Sequence, residues 1–137
     1  MSVIENLIQT EADGSLSFGN YELASKTKVS DFAHGSGVYK VKTFADLTKL
    51  EKDEMFFYES DPGTAVFNLT ETDDGMTFSV EGPKDAQITV AEEPEATYAI
   101  YINGELADEL TASLGGKLSF SIELEPDKRV DVRIVKQ

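Results

Sequence analysis

The chain contains no cysteine and no tryptophan, a single histidine, and only 12 lysine and arginine residues against 26 aspartates and glutamates. Each shortage removes a class of chemistry. Without cysteine there are no disulfides, thiolate metal sites, iron–sulfur clusters or cysteine nucleophiles. Without tryptophan the side chain with the largest stacking face for a sugar ring is missing. A net charge of −14 over 137 residues has the wrong sign for nucleic-acid binding, which needs basic groups to neutralise phosphates. Residues 1–63 carry 6 basic and 11 acidic groups and residues 64–137 carry 6 and 15, so neither half holds a basic module. Anionic membrane surfaces are disfavoured for the same reason.

Long apolar runs are also missing. Tyr98-Ala99-Ile100-Tyr101-Ile102 is among the longest, far short of the roughly 20 residues of a spanning helix. The start, Met1 to Leu7, has no basic region and no continuous apolar stretch, and the first lysine is Lys26. The reading is a soluble, cytoplasmic protein without a secretion signal. With 40% hydrophobic and 28% charged residues the chain is expected to fold around a core.

What is present is alternation. Leu118, Phe120, Ile122 and Leu124 are separated by polar residues, as are Val130, Val132 and Ile134, Met76, Phe78 and Val80, and Ala86, Ile88 and Val90. This period of two marks half-buried antiparallel strands. Asn103-Gly104, Asp13-Gly14 and Asp74-Gly75 are hairpin turns by composition. Seven strand candidates follow Thr64, about the density of an immunoglobulin-like or fibronectin-like β-sandwich. The first half predicts strands over Val3–Thr10, Ser15–Leu23, Thr27–Phe32, Val38–Lys42 and Met55–Glu59. Thr43-Phe44-Ala45-Asp46 has the spacing of a capping box and predicts one helical turn. Thr48–Glu51 is favoured to pair with Met55–Glu59 as a hairpin. The expected fold is therefore all-β: an irregular N-terminal antiparallel region, residues 1–63, packed on or continuous with a sandwich over residues 64–137. Each half is too short for a comfortable core of its own, so one cooperative unit is expected.

Few residues point to chemistry. Asp31, His34 and Ser36 are triad residue types, but three groups within one short loop rarely converge, and His34 is expected to be a solvated loop histidine. Glu59 and Asp61, beside the run Phe56-Phe57-Tyr58, form the least implausible carboxylate pair for glycoside chemistry. Glu92-Glu93-Pro94-Glu95 lacks the alternation and glycine of a calcium loop and is expected to be a solvated turn. Tyr101 points away from the face shared by Tyr98, Ile100 and Ile102, which makes it the exposed aromatic of most interest. Tyr101, Phe57, Tyr58, Glu59 and Asp61 are thus the candidate ligand-binding residues. No catalytic set, cofactor or metal site is expected.

Glu71-Thr72-Asp73-Asp74-Gly75-Met76-Thr77-Phe78 resembles the sialidase Asp-box at Asp73, Gly75, Thr77 and Phe78, with Glu71 in place of serine. The box is a structural hairpin in that family. Glu11 to Gly19 and Leu114 to Ser119 also make the chain similar to a group of small acidic bacterial β proteins that carry an endosialidase label. A sialidase holds its substrate carboxylate with three arginines, whereas this chain has Arg129 and Arg133 alone. Its propeller needs several four-stranded blades, more than 137 residues supply. The resemblance implies a grouping and no activity. The expected function is non-catalytic protein interaction or self-assembly through sheet edges or an acidic face. Carbohydrate binding at Tyr101 is the alternative, and a small glycoside-active enzyme using Glu59 and Asp61 the third reading.

Overall fold

The computed structural model describes residues 3–137. Thirteen strands follow one another: β1 (Ile8–Thr10), β2 (Leu16–Phe18), β3 (Thr27–His34), β4 (Gly37–Phe44), β5 (Leu47–Lys52), β6 (Met55–Asp61), β7 (Ala65–Thr72), β8 (Gly75–Glu81), β9 (Ala86–Ala91), β10 (Thr97–Ile102), β11 (Glu105–Thr111), β12 (Lys117–Ile122) and β13 (Val130–Lys136). No helix forms among the described residues, so none is long and apolar enough to cross a membrane. The protein is an all-β sandwich of two antiparallel sheets. One sheet has the order β1-β2-β7-β8-β13-β10-β11 and the other β12-β9-β6-β5-β4-β3.

The chain before Gly63 does not form a sheet of its own. Strands β1 and β2 extend the first sheet beyond β7, and β3 to β6 extend the second beyond β9. The region after Gly63 supplies five strands to one sheet and two to the other, so the two regions are continuous through both layers. Alternation explains the packing. The inward residues of β8, β9, β12 and β13 are those with apolar period two, and all are buried. Tyr58 of β6 lies between Phe18 of β2 and Phe78 of β8, with ring centroids 5.2 and 5.9 Å away and near-perpendicular planes, tying the sheets together in the edge-to-face geometry that aromatic pairs prefer.

The strand ends differ from the sequence reading where backbone geometry intervenes. Leu7 (φ 71°) and Gly19 (φ 104°) break the extended chain, which reduces the two expected long strands to three residues each, Ile8–Thr10 and Leu16–Phe18. The helical turn at Thr43 does not form: Thr43 and Phe44 end β4, and Ala45-Asp46 is the turn into β5. The reason is the Thr43 hydroxyl, which accepts the Asn20 N–H at 2.9 Å and bonds the Thr48 hydroxyl at 2.9 Å instead of capping a helix. The Asp73-Asp74 pair makes the β7–β8 turn, one residue earlier than expected, with Gly75 opening β8. A Cβ on Gly75 would stand 1.8 Å from the Ile134 carbonyl oxygen, so the glycine serves strand approach. The favoured β5–β6 hairpin forms across Asp53 and Glu54, both at positive φ.

A buried hydroxyl cluster occupies inward positions where alternation alone would place apolar residues. Thr43, Thr48, Ser60 and Thr64 are fully buried. Thr48 Oγ1 donates to the Thr64 carbonyl at 2.7 Å and accepts the Thr64 N–H at 3.0 Å. Thr64 Oγ1 in turn bonds Tyr58 Oη and Ser60 Oγ, each at 2.8 Å. The cluster satisfies the backbone where the chain passes from β6 to β7, that is, from one sheet to the other.

Candidate functional site

Strand β11 is the outermost strand of the seven-stranded sheet and, among the described residues, pairs only with β10. Asn103 (φ 51°) and Gly104 (φ 85°) reverse the chain between them, the geometry a two-residue hairpin of matching twist requires. Every residue of β11 is exposed except Leu110, which is half-buried. An edge strand of this kind presents a row of unpaired backbone N–H and C=O groups. The register skips Ala107, with Ile100 opposite Asp108 and Tyr101 opposite Leu106, so a bulge twists this edge beside Tyr101. Leu106 is 56% exposed.

Tyr101 stands on the outer face, directly across from Arg133 of β13 and Leu106 of β11. The Arg133 guanidinium lies 4.4 Å from the centre of the Tyr101 ring, a contact that fixes the plane of the guanidinium and leaves its N–H edges open. Arg133 has no ion pair among the described residues. Nearby Asp131 accepts the Ser79 hydroxyl at 2.7 Å, and its backbone N–H donates to Asn103 Oδ1 at 2.9 Å. Tyr101, Arg133, Ser79 and Asp131, with Asn68 and Thr77, line an open cleft of about 380 Å³. An oriented arginine, a tyrosine, an exposed leucine and several hydroxyls thus share one patch next to a free strand edge. Tyrosine and arginine are the side chains that carry most binding energy in protein interfaces.

The other candidates are scattered. Tyr58 is fully buried, its hydroxyl bonded to Thr64 and its pKa pushed up by burial, which places it in the core and away from any surface. Phe57 is the bulged residue of β6, because Leu50 pairs with Tyr58 and Glu51 with Phe56. It therefore turns inward beside Tyr39, at 6.2 Å between centroids, and is buried as well. Glu59 and Asp61 lie on the outer face of the second sheet, Glu59 between Lys49 and Thr89 and Asp61 beside Gln87. The phenylalanine, the tyrosine and the two carboxylates do not converge.

His34 ends strand β3 and does not sit in a solvated loop. Its ring is half-buried, with Nδ1 2.8 Å from Thr10 Oγ1 of β1, so it links the edges of the two sheets and is not directed at Ser36. Among the described residues no group of three or more histidine or acidic side chains is placed to hold a metal ion. The Glu92-Glu95 turn is only partly solvated. Glu92 is half-buried beside Glu71, and one of its oxygens is buried without a hydrogen-bond partner. Burial first, and the Glu71 charge second, raise its pKa to about 7. It lines a cleft with Lys52, Phe56, Phe57 and Glu71, where Lys52 bonds Glu71 at 2.8 Å.

Sequence reasoning singled out Tyr101 and missed Arg133 and Leu106 as its neighbours. Arg133 lay within the alternating run before Ile134, where it read only as the polar partner of a core residue, and its placement depends on a strand pairing across about thirty residues. No protein-family model matches this chain, and no curated protein or solved structure matches it either.

Proposed function

We propose that this protein is a non-catalytic interaction module that joins protein subunits through the β10–β11 edge of its seven-stranded sheet. The observation that supports this reading is the placement of Leu106, Tyr101 and Arg133 side by side next to an edge strand that has one ladder neighbour. A partner strand or loop laid along β11 would satisfy its free backbone groups and cover Leu106. Light scattering after size-exclusion chromatography over a dilution series tests it. The expected result is a species heavier than the 15.0 kDa monomer that returns to monomer on dilution and in Leu106→Lys. A 15.0 kDa species at every concentration overturns it as self-assembly.

The cleft itself favours a second reading, carbohydrate binding, because Thr77, Ser79 and Asn68 offer hydroxyl and amide groups beside Tyr101. Arg133 covers one face of the tyrosine ring, so a sugar would meet the guanidinium edge and the polar floor. Titration against neutral and acidic oligosaccharides, with Tyr101→Ala and Arg133→Ala as controls, separates this from protein binding. Flat titrations across the panel dismiss it.

A further inference from the structure

In a chain with a net charge of −14, the cations are not spread evenly. The register of the second sheet sets Lys28, Lys42, Lys49, Glu59, Thr89 and Ser119 opposite one another in a single row across six strands. Leu118 and Val90, one position along, are fully buried, so this row faces outward. Lys40 is on the same face two residues from Lys42, Lys26 extends over the Phe44 ring at 5.8 Å, and Lys117 over the Phe56 ring at 4.7 Å. One sheet face therefore holds six of the twelve basic side chains. Its carboxylates are Glu51, Glu59 and Asp61, together with Asp31 and Glu54, which line a cleft with Lys40 and Glu51 at one end of the face, away from the Lys28–Lys42–Lys49 row.

This arrangement works against the stability of the sheet. Like charges directly opposite on neighbouring strands repel, and Lys28, Lys42 and Lys49 occupy three adjacent strands. Lys49 approaches Glu51 only at 3.9 Å, and Lys28, Lys40 and Lys42 have no ion pair among the described residues. Between them stand Phe44, Leu47 and Phe56, half-buried on an otherwise open face. The acidic counterpart is the β10–β11 hairpin. The segment from Asp85 to Gly116 contains seven carboxylates and no lysine or arginine, with Glu105, Asp108 and Glu109 on the exposed edge strand.

We propose that the lysine face of the second sheet is the docking surface for the acidic β10–β11 hairpin of a second copy of this chain. The inference rests on the reading of that hairpin as an interaction surface and names its partner. Two molecules of charge −14 repel in most orientations, and the approach that sets lysines on the hairpin is the one with complementary potentials. Because the two surfaces differ, the contact is head-to-tail and builds a ring or a filament. Six strands spaced about 4.8 Å apart and about 20–25 Å long give a face of roughly 500–600 Å², below the roughly 800 Å² per partner of a stable complex. The assembly consequently depends on charge and dissociates as salt shortens the screening length from about 10 Å at 0.1 M to about 3 Å at 1 M.

The test is light scattering at low and high salt on the intact chain, the charge-reversed pair K42E/K49E, the pair E105K/E109K, and an equimolar mixture of the two variants. Circular dichroism and melting curves establish that each is folded, and K42Q/K49Q repeats the first experiment without added acid. The intact chain is expected to associate at low salt and dissociate at high salt. Each variant pair should weaken association by about tenfold or more, and the mixture should restore it. Association unchanged in both K42E/K49E and K42Q/K49Q overturns the proposal. If Leu106→Lys still abolishes that association, the hairpin reading stands without it. A chain monomeric under all conditions removes both. Retention on a polyanion such as heparin by a monomer, lost in K42E/K49E, would overturn self-docking and assign the face to an anionic polymer.

Discussion

The two sides of the sandwich are built in opposite ways. On one side the edge strands β1 and β3 are tied across the sheets: His34 bonds Thr10 at 2.8 Å, and the crossing segment after β2 bonds the end of β4 through Asn20 to Thr43 at 2.9 Å and Ala45 to Leu23 at 2.9 Å. On the other side β11 follows β10 and has no further neighbour among the described residues. Both edges carry a bulge, at Val29–Phe32 in β3 and beside Tyr101 in β10–β11, so the bulge does not distinguish them. The difference lies in cover and in charge. The sandwich thus closes one side with specific hydrogen bonds and leaves the other with an acidic, open edge.

The sharpest way to break this comparison is to damage the tied side. A Cβ at Gly63 would stand 2.1 Å from the Phe44 carbonyl oxygen, where the Gly63 N–H also bonds Ala45 at 3.0 Å. Backbone cannot yield there, and Gly63→Ala is expected to cost about 3 kcal/mol or more, measured by chemical unfolding. Thr48→Val comes next. It leaves the buried Thr64 N–H without its acceptor and the Thr64 carbonyl without its donor, an expected loss of about 1–3 kcal/mol. Light scattering of either variant, at temperatures where it remains folded, should show the association of the intact chain.

These two residues also show what was legible in the sequence. The C-terminal strands announced themselves because one face is core and the other water, so Leu118 to Leu124 and Val130 to Ile134 alternate cleanly. Asn103-Gly104 was legible because few residue pairs adopt positive φ twice. Thr43, Thr48, Ser60 and Thr64 were not, since a buried hydroxyl reads as a surface residue until its partners from other strands are known. Gly63 was visible only as a junction. For the site, Tyr101 followed from strand parity, whereas the lysine row disappeared when charge was summed over halves: each half is negative, and the row exists only through the register of six strands.

Between the two sides sits Glu92, whose raised pKa sharpens the contrast through pH. Its carboxyl is harder to ionise in the folded protein than in the unfolded chain, with a pKa near 7 against an ordinary 4.5. The folded state therefore binds the proton more tightly across that window, and this residue's contribution to stability falls as pH rises from 4.5 through 7. Glu92→Gln should raise the melting temperature above pH 7, make little difference below pH 4.5, and flatten the slope between. A parallel pair of pH curves for the two proteins would show that Glu92 is not the group responsible.

The smallest expected effect on stability is also the one that separates folding from binding. Leu106 is 56% exposed on a strand with one neighbour, so Leu106→Lys removes little burial and leaves the β10 ladder intact; its unfolding free energy should stay within about 0.5 kcal/mol. Association should be lost nonetheless, because a charged side chain replaces the apolar contact in the middle of the patch. Amide exchange makes the same distinction strand by strand. In dilute monomer, amides of β11 not bonded to β10 should exchange much faster than those of β13, which has β8 and β10 on its two sides. In the associated form the free edge of β11 should gain protection while β13 does not change. Equal protection of β11 in both forms would mean that the open edge stays open, and that the contact between subunits lies elsewhere on the molecule.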